Sequence, residues 1–161
     1  IPSRLVGSEM CIRDSFIISI IMSLLFKNFK MVLISLIPNI IPLIIAGGIM
    51  GYFNIPLKPS SALVFSIVFG ISVDYSIHFL AKFKNELLSK SLEDSIINTI
   101  NQTGRSMIFT SFILFFGFII FAFSNFGGTI VLGVLTSIIL FVAMITNLTL
   151  LPSIILYFYK K

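Results

Sequence analysis

One acidic residue lies inside the long uncharged stretches of this chain: Asp74, in Gly70-Ile-Ser-Val-Asp74-Tyr75-Ser-Ile-His78. A carboxylate within a bilayer span costs roughly 2.5–3.5 kcal/mol on insertion scales, so such groups usually face a bundle interior and often mark ion or proton paths. On a helix, Ser66, Gly70, Asp74 and His78 recur at i+4 and share one face. Gly70 removes a side chain one turn from Asp74, which lets another helix approach closely. Burial disfavours the charged form of a carboxylate, which suits it to gaining and losing a proton. Tyr75 points about 100° away around the axis, where its hydroxyl can donate to an acid on a neighbouring helix. The bland alternative is a packing acid satisfied by hydroxyls of Ser106, Thr110 or Ser111 on a neighbouring span. His78, the single histidine, reads either as a second relay group or as an interfacial residue near the end of its span.

These residues need membrane helices to position them. The uncharged runs are residues 15–26, 31–57, 59–81 (broken only by Asp74) and 106–159. About 20 apolar residues cross the hydrocarbon core as a helix. Residues 16–26 are too short and read as a truncated span. Residues 31–53 form one span, with Pro38 and Pro42 producing a kink of the kind membrane helices tolerate. Residues 59–81 form the next, with Pro59 in its first turn. Residues 106–159 exceed one crossing, and Ser124-Asn125-Phe126-Gly127-Gly128 divides them by its turn chemistry into 106–123 and 129–156. In the connector 82–105, Ser91-Leu-Glu-Asp94 fits a capping box, and Leu92, Ile96 and Ile100 recur at i+4. That pattern predicts a short amphipathic helix on the membrane surface; a solvated loop is the alternative. Thr146, Asn147 and Thr149 in the last span read as helix–helix hydrogen-bonding groups.

Residues 5–15 read Leu-Val-Gly-Ser-Glu-Met-Cys-Ile-Arg-Asp-Ser, the in-frame translation of a transposon-tagmentation sequencing adapter. Residues 1–15 are therefore expected to be an artefact of the DNA library. On that reading Phe16 is interior to a longer protein. Cys11 is the only cysteine, so the remainder carries none and says nothing of redox compartment.

The chain is 57% hydrophobic and only 11% charged, with a mean hydropathy of +1.11, where soluble domains carry about 25% charged residues. The fold class expected is an all-α membrane protein of about five transmembrane helices, the first truncated, with the lipid bilayer as its surroundings. The net charge of +5 is no nucleic-acid footprint, because the basic residues sit between apolar runs. Lys27 and Lys30, then Lys82, Lys84, Lys90 and Arg105, then Lys160 and Lys161 follow alternate spans, and the other loops hold only Lys58. The positive-inside rule puts these ends, including the C-terminus, in the cytoplasm. No phosphate-binding loop, dinucleotide pattern, metal-ligand spacing or catalytic set is present, so no enzyme, metal or cofactor is expected.

The stretch from Gly70 to Lys84 resembles the Gly-x-x-x-Asp-Tyr span of the RND superfamily, nearest its MmpL-like and hopanoid-exporter-like branch. The resemblance continues through Thr103-Gly104-Arg105-Ser106, Thr110-Ser111, Gly117-Phe118, Phe123-Ser124 and Leu151-Pro152, and covers residues 16–161. It implies spans two to six of a six-helix half in a bacterial cytoplasmic membrane. The other half of the same polypeptide would be the partner. It further implies a proton relay at Asp74 and Tyr75, facing an equivalent pair in that other half, and export of a hydrophobic or lipid-like substrate. H⁺ is the coupling ion so implied, and Na⁺ stays open for a lone carboxylate near hydroxyls. Sterol-sensing domains and Sec accessory subunits share the fold and give the alternative, a sensing or translocation module. The Sec motif resembles Asp-Ala-Asn, from which Tyr75 and His78 depart.

Overall fold

The computed structural model describes Ile17, Ile20 and residues 29–56 and 58–159. The supposed adapter segment lies outside these residues. Of the truncated first span only Ile17 and Ile20 are described, both helical. The rest is helical, with no strand among the described residues: α1 (Phe29–Tyr52), α2 (Pro59–Leu87), α3 (Leu92–Thr99), a π-helical segment (Ile100–Gly104), α4 (Arg105–Ile119), a 3₁₀ turn (Ile120–Phe123) and α5 (Gly127–Tyr159). The segments Ile34–Tyr52, Ser60–Leu87, Leu92–Phe123 and Gly127–Tyr159 are each long and apolar enough to cross a membrane.

The helix ends follow local chemistry. α1 stays helical through Pro38 and Pro42 and stops at Asn54, the one non-glycine with positive φ (51°) among the described residues. Ile55 N–H donates to Met50 O and Asn54 N–H to Gly51 O, the paired bonds of a Schellman stop with asparagine in the left-handed position. Pro59 opens α2, and Lys58 N–H donates to Ser61 Oγ at 2.8 Å, satisfying a backbone donor at the helix start. α2 runs six residues past the expected end of its span. Glu86 pairs there with Lys82 (3.0 Å) and Lys90 (2.7 Å) at i±4 spacing, which supports a helix outside the apolar layer. Between the last two spans, Ser124 is extended and its Oγ accepts from Phe126 N–H.

The connector divides between the end of α2 and the short helix α3. Ser91 caps α3 through Asp94 N–H, as the capping-box pattern required. The helix does not end before the fourth span, however. It passes through the π segment into α4, with αR backbone at Ile100, Gly104 and Arg105. The 32 residues Leu92–Phe123 reach about 48 Å at 1.5 Å per residue, well beyond the roughly 30 Å hydrocarbon core. Within the connector, Ile96 is buried and Leu92 and Ile100 pack on the core.

α5 is the organising helix, packed against α1, α2 and α4, whereas α2 and α4 scarcely touch. Gly133 is the reason α5 comes so close to the end of α4: an added Cβ would stand 2.6 Å from the Phe118 carbonyl and 2.5 Å from Phe121 Cβ. Gly104 plays a similar part in the π segment, where a Cβ would meet Leu148 of α5 at 2.9 Å. Two apolar clusters fill the bundle. One gathers Val64, Val68, Leu135 and Ile139 around Ala46 and Met50; the other gathers Phe79, Phe83, Met107, Leu151 and Ile155 around Met31 and Ile34.

Candidate relay site and cleft

A polar layer separates the two apolar clusters. Asn39 of α1, Ser72 and Ser76 of α2 and Asn147 of α5 are all at most 1% exposed. Ser72 Oγ donates to Asn39 Oδ1 at 2.7 Å. Asn147 Nδ2 donates to Ser72 Oγ at 3.0 Å and to its own helix at Ala143 O. Ser76 Oγ lies 2.6 Å from Asn147 Oδ1 and 3.1 Å from Asn39 Oδ1, and its one proton goes to the nearer acceptor. Asn39 Nδ2 is satisfied by Ser35 O at 2.7 Å. Every member has a partner, so the layer joins three helices without a stranded polar group. Of the three last-span residues expected to bond between helices, Asn147 does so. Thr146 and Thr149 turn back to their own backbone carbonyls.

This layer fixes the rotation of α2. Ser72 and Ser76 point inward, so Asp74, two residues from each and about 200° around the axis, points outward. Asp74 is accordingly not enclosed by the described helices: its side chain is 60% exposed. Its described polar partner is His78, with Nε2 3.5 Å from Oδ1 and a side chain 70% exposed. No hydrogen bond joins Asp74 to Ser106, Thr110 or Ser111 among the described residues. Thr110 instead donates to Ser106 O at 2.9 Å. Gly70 also faces outward, and a Cβ there would meet nothing within 4 Å among the described residues, so none of the described helices packs closely against it. Ser66 is half-buried and does not meet Asp74.

Tyr75 goes the other way. It is 3% exposed within the lower apolar cluster, and its hydroxyl pairs with Ser111 Oγ of α4 at 2.7 Å rather than with an acid. The structure thus assembles two adjacent pairs, Asp74 with His78 and Tyr75 with Ser111. Asn39, Ser72 and Ser76 were not singled out from sequence. The usable signals were the i+4 serines and the lone Asn in the 31–53 run.

Asp74 and His78 open onto a cleft of about 470 Å³ between α2 and the π–α4 segment. Asp74, His78 and Lys82 form one wall at i+4 steps, and Gln102, Ser106 and Thr110 form the other. Tyr75 and Met107 also line it. Lys82 is held by Glu86, and among the described residues no Lys or Arg pairs with Asp74. The site can therefore carry a proton on a carboxylate and an imidazole held side by side. Among the described residues no three His, Cys, Asp or Glu side chains gather where a metal ion could sit.

Comparison with known proteins bears on what such a bundle is for. A family model, the MMPL family, matches residues 11–160, beginning within the supposed adapter segment. The chain is also similar to MJ1562 of Methanocaldococcus jannaschii, whose name assigns it to membranes and states no activity, at 29% identity over 143 residues. That match covers 86% of this chain but 36% of the relative, so the chain spans about a third of its length. No solved structure matches. Four membrane-length helices among the described residues and a family match over nearly the whole chain make this a multi-pass membrane protein and a member of the MMPL family.

Proposed function

We propose that this chain is part of the transmembrane domain of an exporter driven by the proton-motive force, with Asp74 as the group that carries the proton. The observation that supports this best is a carboxylate set 3.5 Å from an imidazole beside a polar cleft, on a helix long and apolar enough to span a membrane. An ionised Asp74 against lipid would cost about 2.5–3.5 kcal/mol, and one proton crossing 100 mV supplies about 2.3 kcal/mol. The two quantities match, so protonation is enough to change which packing of the open α2 face is favoured. The cover for that face is the other half of the full-length protein, and Gly70 leaves room for it. Tyr75 and Ser111 keep α2 and α4 in register beside the carboxylate. The C-terminus lies on the cytoplasmic side of the cytoplasmic membrane, as the basic residues require. The exported molecule is hydrophobic or amphipathic and lipid-like.

The test is proton flux in proteoliposomes holding the full-length protein, read by a trapped pH dye under an imposed pH difference. Asp74→Asn is expected to abolish protein-dependent flux while insertion is kept. Undiminished flux in a well-inserted variant sinks the reading and favours a sensing or translocation module.

A further inference from the structure

We propose that the cleft between α2 and α4 is an aqueous passage from the cytoplasmic side to Asp74, and that His78 hands the proton along it. This rests on the reading of Asp74 as proton carrier. Asp74 lies seven residues, about 10 Å, from the basic end of its span, too deep for direct contact with bulk water. His78 stands one turn nearer that end and Lys82 one turn nearer still. The opposite wall is polar over the same distance, through Gln102, Thr103, Ser106 and Thr110. Gln102 and Thr103 come from the π segment, a local geometry that recurs at functional sites.

The charges around the imidazole leave it free to act. Along α2 it shares the cleft with Asp74, Tyr75 and Lys82; the facing segment contributes Gln102, Thr103, Ser106, Met107 and Thr110, none of them charged, and Arg105 is not on the cleft. Lys82 is engaged by Glu86, and Tyr75 by Ser111. The step balances without any other reactant. The protonated Asp74 carboxyl gives its proton to neutral His78 Nε2, leaving carboxylate and imidazolium, and the imidazolium gives up its Nδ1 proton to water in the cleft.

Two measurements on the full-length protein test this. In a cysteine-free background, Asn85→Cys, Ser106→Cys and Thr110→Cys should react with a charged, membrane-impermeant methanethiosulfonate added from the cytoplasmic side. Phe109→Cys and Ile113→Cys are the controls. They are 70% and 71% exposed on the same helix but do not line the cleft, and should react at least about tenfold more slowly. Equal rates at both sets, or reaction only from the opposite side, overturn the passage. Next, His78→Gln should slow dye-reported proton flux about tenfold or more, with recovery on adding imidazole. Unchanged flux, or a loss that imidazole does not restore, overturns the relay role. Unchanged flux in Asp74→Asn would instead strike the underlying reading, leaving the thiol result standing.

Discussion

Two polar regions sit on opposite faces of α2 and are built on opposite terms. The inner one, Asn39, Ser72, Ser76 and Asn147, is closed: neutral, fully buried, every group bonded to another group of the chain. The outer one, Asp74 and His78, is open: ionisable, more than half exposed, its two members set 3.5 Å apart. A satisfied neutral network holds helices at one rotation. An ionisable pair on an open cleft has no such network to hold it. The contrast assigns rigidity to the inner face and responsiveness to the outer, with one helix carrying both.

The largest effect should come from the open face. Asp74→Asn is expected to lower protein-driven proton flux by about a hundredfold or more, about 2.7 kcal/mol at 1.36 kcal/mol per decade, with little change in unfolding midpoint. Loss of folding in that variant would break the contrast, since it would make Asp74 a structural group. Next comes close packing. Gly133→Ala pushes a methyl into the Phe118 carbonyl, and overpacking of this kind costs about 1–3 kcal/mol, measurable by denaturation in mixed detergent micelles. Asn147→Ala leaves Ser76 only its longer bond to Asn39 and removes a donor to Ser72, at about 1 kcal/mol in the same assay. That variant sharpens the comparison if flux falls only in proportion to folded protein. The smallest effect belongs to Gly70→Ala. The position is empty in this chain, so helix propensity alone gives at most about 0.5–1 kcal/mol of stabilisation. A loss of flux at unchanged stability would locate the cover proposed for this face.

Much of the architecture is legible because the bilayer imposes it. Four described helices are long and apolar enough to span a membrane, the Ser91 cap forms, and Asp74 and His78 meet at the i+4 spacing that predicts it. What sequence left open is which face of α2 turns inward. In water the apolar stripe marks the buried face; in lipid both surroundings are apolar and the stripe loses that meaning. Both faces of α2 carry small polar residues at i+4: Ser66, Gly70, Asp74 and His78 on one, Ser72 and Ser76 on the other. Asn39 and Asn147 decide between them, and nothing in sequence spacing ties residues 108 positions apart. The continuity of the connector with α4 was hidden for a related reason. Charge marks where the membrane ends, while a helix continues wherever its backbone stays paired.

The π segment adds a vernier to this machine. Its hydrogen bonds close one residue later than those of the α-helices on either side. Reverting it to α pairing would advance everything beyond Gly104 by one residue, a turn of about 100°. Ser106 and Thr110 would swing off the cleft wall. The register of backbone pairing at Ile100–Gly104 therefore sets which face of α4 meets the cleft.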